Sequence, residues 1–171
     1  MKSVIACLAL PLLIAGCGVS APKPAMYCPK PAVLQQAAQM TQFLPGRADI
    51  AGQVISARIT GVAGSCDSHA KGMNVVSFQI GFAATRGPAG TAQTQPLQYF
   101  VSIVNGDTIV SKSIYGIDFK YDGTADQAVA TTKTIKVDAP NMPEAADEQI
   151  LVGFQMTPAE LSYAQSHPAG P

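Results

Sequence analysis

The chain has 171 residues, 47% hydrophobic and 13% charged, a composition that suits one globular domain and excludes a disordered or highly charged polymer. Lys plus Arg equals Asp plus Glu at 11 each, so the positive excess that drives binding to nucleic acid or to anionic lipid is missing. Trp is absent and aromatics make up 6%, which argues against a stacking platform for sugars or single strands.

Residues 1–16 read as a secretory signal peptide. Lys2 supplies the positive start, Val4 to Ile14 is apolar, and Ala15-Gly16 supply the small residues of a cleavage site. The apolar run is too short to span a hydrocarbon core of about 30 Å, and Pro11 interrupts it. The stretch Leu13-Ile14-Ala15-Gly16-Cys17 resembles the lipobox of bacterial lipoproteins. That resemblance implies cleavage between Gly16 and Cys17, a diacylglycerol on the Cys17 sulfur, and acylation of the new amino group. Each buried methylene contributes about 0.8 kcal/mol, so one acyl chain holds marginally and two or more hold stably. Gly18 stands where an Asp commonly retains Gram-negative lipoproteins in the inner membrane. The resemblance therefore implies an outer-membrane protein facing the periplasm.

The four cysteines then divide. Cys7 leaves with the leader and Cys17 takes the lipid. Cys28 and Cys66 remain, an even pair in an oxidising compartment, and are expected to form a disulfide. A metal or redox pair is the weaker reading, because there is no CxxC and His69 is the one His near either Cys. Residues 17–27 are the lipidated Cys and a tether. Gly18 to Ala25 is rich in small residues and proline and reaches about 25–30 Å when extended. Residues 28–166 form a single domain, and residues 167–171 a frayed tail.

Within the domain, Ala32 to Leu44 carries Val33, Leu34, Ala37, Ala38, Met40 and Phe43 at loosely helical spacing, and Pro45-Gly46 ends it. A short helix and an irregular docked segment both fit. From Gln53 the period changes to two. Val54–Thr60 is a strand ending near Gly61. Met73–Thr85 is the clearest, with Val76, Phe78, Ile80 and Phe82 alternating with small or polar residues. Leu97–Val104 and Thr108–Tyr115 flank Asn105-Gly106, which predicts a type I′ hairpin. Phe119–Tyr121 continues it. Ala128–Val137 alternates as one strand, Ala139–Glu148 is a Pro-rich acidic connection, and Gln149–Met156 is the last strand. Thr157-Pro158-Ala159-Glu160 has the residues of a helix start, with Thr as cap, Pro in the first turn and Glu reaching back. These elements predict an all-β, immunoglobulin-like antiparallel β-sandwich of six to seven strands with short N- and C-terminal helical segments. A small barrel is the runner-up.

Several constellations invite a functional reading. Ser65-Cys66-Asp67-Ser68-His69 lists nucleophile, acid and base, but a triad needs groups that converge in space, so a polar turn beside a bridged Cys is expected. His69 and His167 are far apart in the chain, and a metal site needs three or four convergent ligands. Asp118, Asp122, Gly123 and Asp126 lack the ligand alternation of a calcium loop and fit a solvated turn with at most weak surface Ca²⁺ binding. Arg86-Gly87-Pro88-Ala89-Gly90 can form an anion-binding nest. A long turn whose Arg pairs with an acid or a carbonyl accounts for the same residues. Arg86, Gly87 and Pro88 are the candidate interaction loop. No catalytic residue, metal ligand or cofactor is assigned.

Cys28-Pro29, Phe43-Leu44-Pro45-Gly46, Ser65-Cys66, Arg86-Gly87-Pro88-Ala89, Tyr99-Phe100-Val101 and Leu151 to Leu161 together resemble a group of small alphaproteobacterial envelope lipoproteins. The resemblance covers most of the mature chain and transfers no site. It implies a non-enzymatic, membrane-anchored accessory or structural module with an envelope-protein partner. A small-molecule or glycan binding module is the alternative.

Overall fold

A computed structural model describes residues 26–69, 72–143 and 147–167. Residues 1–25 lie outside the described residues, and with them the signal peptide, the cleavage position at Gly16, the lipid-accepting Cys17 and the tether up to Ala25. Within the described residues the chain forms nine strands in two sheets and one α-helix. The strands are β1 (Lys30–Val33), β2 (Gln39–Phe43), β3 (Gln53–His69), β4 (Met73–Arg86), β5 (Thr94–Asn105), β6 (Thr108–Lys120), β7 (Gln127–Thr131), β8 (Ile135–Pro140) and β9 (Glu148–Phe154). The helix α1 spans Pro158–Ser166.

The first sheet has the order β1-β9-β5-β6, with β1 parallel to β9 and the other pairs antiparallel. The second has the order β2-β3-β4-β7, with β8 also pairing β4, all antiparallel. The two sheets share one core, which makes the fold an all-β sandwich. From β4 it takes Val76, Phe78, Ile80 and Phe82, each 2% exposed or less. From the facing sheet it takes Leu97, Tyr99, Val101, Phe119, Ile150, Val152 and Phe154. Phe82 lies at the centre, its ring 5.3 Å from Tyr99, 6.3 Å from Phe119 and 5.6 Å from Phe154. Each such ring stabilises the fold by about 2–3 kcal/mol through burial.

Several strand boundaries differ from the expectation. The Ala32–Leu44 stretch is not a helix. It is β1, a single 3-10 turn over Gln35–Ala37, and β2. β3 does not stop at Gly61. It continues to His69 past an irregularity between Ile59 and Gly61, so Ser65–His69 is strand and not turn. The Ala128–Val137 run divides into β7 and β8. Between them Thr132 turns inward, 7% exposed, and exchanges bonds with β4: its amide donates to the Ile80 carbonyl and its Oγ1 accepts from the Ile80 amide. Ala139 and Pro140 then belong to β8 and not to a connection. The hairpin turn is shifted by one residue. Asn105 pairs with Thr108, so the turn is Gly106-Asp107, with Gly106 at φ 55°. Glycine at the first central position supplies that positive φ without strain.

The C-terminal helix starts as the sequence indicates. Thr157 Oγ1 accepts from the Glu160 amide, and the Thr157 amide donates to Glu160 Oε2 at 2.7 Å. His167 ends it, its ring stacked 4.2 Å from Tyr163. Among the described residues no helix is long and apolar enough to cross a membrane.

Candidate functional site

The candidate site is a groove on the outer face of the first sheet. It arises because β5 and β9 are covered on both faces near their middles. Tyr99, Phe100, Val101 and Ser102 are consecutive buried residues in β5, and Val152, Gly153 and Phe154 are in β9. Odd-numbered residues of this β5 stretch face the core, so Phe100 and Ser102 face outward, beneath the 3-10 turn and α1. Gly153 lies opposite Phe100 in register. A Cβ on Gly153 would stand 2.6 Å from Ala37 Cβ and 2.8 Å from Phe100 Cζ. Glycine there lets the Phe100 ring and the turn close onto the sheet.

The resulting groove has a volume of about 410 Å³ and is walled by Leu34, Ala37, Leu151 and Leu161, with Phe100 in its floor. One cation reaches it. The Lys112 ammonium lies 4.5 Å from the Phe100 ring centroid, a distance at which a cation is attracted to the ring face. Gln155, also on the wall, has a buried Oε1 with no hydrogen-bond partner among the described residues, while its backbone N–H donates to the Gln98 carbonyl. An apolar floor with one cation at its rim forms a surface that can hold an apolar group carrying a negative charge.

The residues singled out from sequence are distributed differently. Cys28 and Cys66 are bridged, with Cα atoms 6.4 Å apart. The bond joins the segment before β1, in the first sheet, to β3, in the second. Beside it Asn74, fully buried, donates through Nδ2 to the Tyr27 carbonyl at 2.7 Å and to Asn141 Oδ1 at 3.1 Å. The Tyr27 amide donates to the same Asn141 Oδ1 at 3.0 Å. Disulfide and asparagine pair thus fasten the chain where it joins the domain from its N-terminal side.

Arg86, Gly87 and Pro88 are not in the groove lining; Arg86 ends β4, on the second sheet. The Gly87 amide donates to Val54 O, the Ala89 amide to Gln53 O and the Gly90 amide to Gly87 O. Those amides are committed to carbonyls, so they do not form an anion nest. Arg86 does not pair with an acid or a carbonyl as expected of a long turn. Its guanidinium lies 4.3 Å over the Tyr121 ring, and Nε and Nη2 are buried without hydrogen-bond partners among the described residues. Burial raises the Tyr121 phenol above its ordinary range, Arg86 opposes the shift and Asp126 adds to it. Pro88 is the exposed residue of the loop.

Ser65, Asp67 and His69 alternate with Cys66 and Ser68 along β3, spaced out on one face and exposed. His69 and His167 sit on different elements, β3 and the end of α1. Among the described residues no three of His, Cys, Asp and Glu converge as metal ligands. Asp118 is on β6, and Asp122 and Asp126 flank the turn at Gly123, φ 56°. Phe100, Lys112 and Gly153 were not reachable from alternation alone. Their signal is its absence: Leu97 to Val104 is nearly continuous in apolar residues, the mark of a strand covered on both faces. Comparison of the chain with protein-family models, with curated proteins and with solved structures finds no match.

Proposed function

We propose that the protein is a lipid-anchored lipoprotein of the cell envelope, held by Cys17 to the outer membrane and facing the periplasm, and that its β-sandwich is a non-enzymatic accessory or structural module that contacts another envelope protein. The observation that carries the contact role is the groove over Phe100 with Lys112 at its rim. Its chemistry fits an apolar side chain of a partner with a carboxylate beside it, since desolvated apolar contacts supply affinity and one charge fixes orientation. The signal peptide and lipobox support the anchor.

The test is crosslinking in cells of the wild type, Cys17→Ala and Phe100→Ala, together with incorporation of a palmitate analogue. Lipid label on the wild type and none on Cys17→Ala is expected. A partner crosslinked to the wild type and lost from Phe100→Ala supports the groove. Absence of label refutes the anchor, and partner profiles identical in wild type and Phe100→Ala refute the groove as a contact site.

A second reading rests on the concave apolar lining of the groove with one cation at its rim. The groove then holds a small amphipathic anion, its tail on Phe100 and its head at Lys112. Native mass spectrometry of the intact protein decides it: a bound small molecule that Lys112→Ala releases favours this reading over a protein partner.

A further inference from the structure

The open edges of the two sheets are protected to different degrees. β1 has four residues, one of them Pro31, which has no amide to donate. β2 has five residues and packs against α1, where the Tyr163 ring meets Phe43 edge-on at 4.8 Å. β7 and β8 have five and six residues, and β8 ends in Pro140. β6 has none of these devices. It runs 13 residues without proline, pairs only β5, and its other edge has no backbone partner among the described residues. Its Ile109, Val110, Ile114 and Tyr115 are 64%, 56%, 52% and 40% exposed. An edge of this kind accepts another strand.

We infer that the strand it accepts is β6 of a second copy of this chain, antiparallel, with the two-fold axis passing at Tyr115. A two-fold pair of antiparallel strands sets one residue against its own counterpart and the others symmetrically about it, so the choices of register are few and discrete. Centred on Tyr115, Lys112 of each copy stands opposite Asp118 of the other. Both side chains are exposed, and neither has an ion-pair partner within the chain among the described residues. Both have even numbers on β6, the outward face, while Ile117 and Phe119 point to the core. The same register extends an existing stack. Tyr115 lies over Tyr99 at 5.4 Å with 23° between the rings. Its counterpart would prolong this into a ladder of four rings, and a cleft of about 570 Å³ bounded by Tyr99, Tyr115 and Thr131 to Lys136 leaves room for them. Ile114 falls opposite Gly116, which removes crowding on the outer face.

Neighbouring registers lack these matches. Centred on Gly116, Lys112 meets Lys120 and Ile114 meets Asp118. Centred on Ile114, Lys112 meets Gly116 and Asp118 meets Val110. Charge therefore selects the Tyr115 register, and about ten backbone hydrogen bonds form along Val110 to Lys120. The surface is the strand edge; it shares Lys112 with the rim of the groove over Phe100, whereas Tyr115, at the two-fold axis, lies outside the groove lining, so the Tyr115→Cys crosslink reads the pairing separately from that groove and from the lipid.

The test uses the full chain in its membrane. Counterparts at the two-fold axis have Cα atoms about 4.5–5.5 Å apart, within disulfide reach. Tyr115→Cys should give a reducible dimer on mild oxidation. Ser113→Cys and Ile117→Cys should each give little alone and a dimer when co-expressed, because Ser113 faces Ile117 of the second copy. In the Tyr115→Cys background, Lys112→Asp or Asp118→Lys should lower the dimer yield about tenfold, and the two together should restore it. Retention of the Cys28–Cys66 bond checks that each variant has folded. Wild type in detergent should sediment as two chains. Equal crosslinking at all three positions, indifference to charge reversal, a single-chain mass, or capture of an unrelated protein at Tyr115 would each overturn the pairing.

Discussion

Replacing Cys28 and Cys66 together by alanine removes a bond whose partners are separated by 38 residues in the chain. A loop of that length, once opened, gives the unfolded chain back entropy equivalent to about 4 kcal/mol at 25 °C. The structure gives reason to expect most of that figure. Both cysteines are only partly buried, so their loss opens little cavity, and the bond joins the segment before β1 to β3 across the two sheets. A single domain has about 5–15 kcal/mol in total, so the double variant should still fold at room temperature but with a large fraction of its margin gone. With a urea dependence of about 2 kcal/mol per molar for a domain of this size, the unfolding midpoint should fall by about 2 M. Reduced wild type should unfold at the same midpoint as the variant. A fall of less than about 0.5 M would refute the reasoning, since it would mean that the unfolded chain stays closed without the bond.

Three further outcomes follow from single contacts. Asn74→Ala deletes two hydrogen bonds in a fully buried position and leaves the Tyr27 carbonyl without its donor, so it should cost about 2–3 kcal/mol and lower the thermal midpoint by about 6–10 °C in calorimetry. Gly153→Ala places a methyl against Ala37 and Phe100 and should cost about 1–3 kcal/mol in urea unfolding, with the groove distorted; an unchanged midpoint would contradict the close packing of its floor. In alkaline titration followed by tyrosinate absorbance, Tyr121 and Tyr99 should ionise above the ordinary value of 10.0, burial being the main cause for both. A raised phenol pKa keeps the folded chain protonated while the unfolded chain ionises, so this contribution to stability is intact below pH 10 and declines as pH rises past it. Tyr121→Phe should remove one late-titrating phenol.

What the sequence discloses follows the contrast between the two faces of each element. β4 was legible because Phe78, Ile80 and Phe82 are buried while Ser77 and Gln79 are less so, and period two survives. The Thr157 cap was legible because its chemistry is local. Ala32–Leu44 misled because its Ala, Leu, Gln and Met favour helix, and β1 exists through its parallel pairing with β9, a partner remote in the chain that overrides the local preference. The end of β3 misled for the opposite reason. Beyond Gly61 that strand is largely exposed, so no apolar alternation marks it, and polar residues on a ladder look like a turn. Phe100 was readable as strand, yet its face was not, since two covered faces erase the pattern that distinguishes them. The disulfide was reached through compartment and parity, which need no geometry.

The two-fold pairing at β6 and the lipid at Cys17 were inferred from unrelated residues, and they impose a common geometry. Two copies anchored in one membrane can be related only by an axis along the membrane normal. An antiparallel edge-to-edge pair has its axis perpendicular to the sheet, so the paired sheets would lie flat over the bilayer. β1, which follows the tether, and β6 are the opposite edges of the first sheet. In the pair the two β1 strands then become the outer edges of an eight-stranded sheet, about 34 Å apart at 4.8 Å per strand. The N-terminal ends of β1 would then sit at equal height, and a tether with the reach of about 25–30 Å expected from its sequence would let each copy meet the surface independently. Shortening the tether by deleting residues 18–24 should therefore leave the Tyr115→Cys dimer intact if the sheets lie flat and close to the bilayer. It should abolish the dimer if the domains must stand upright to meet.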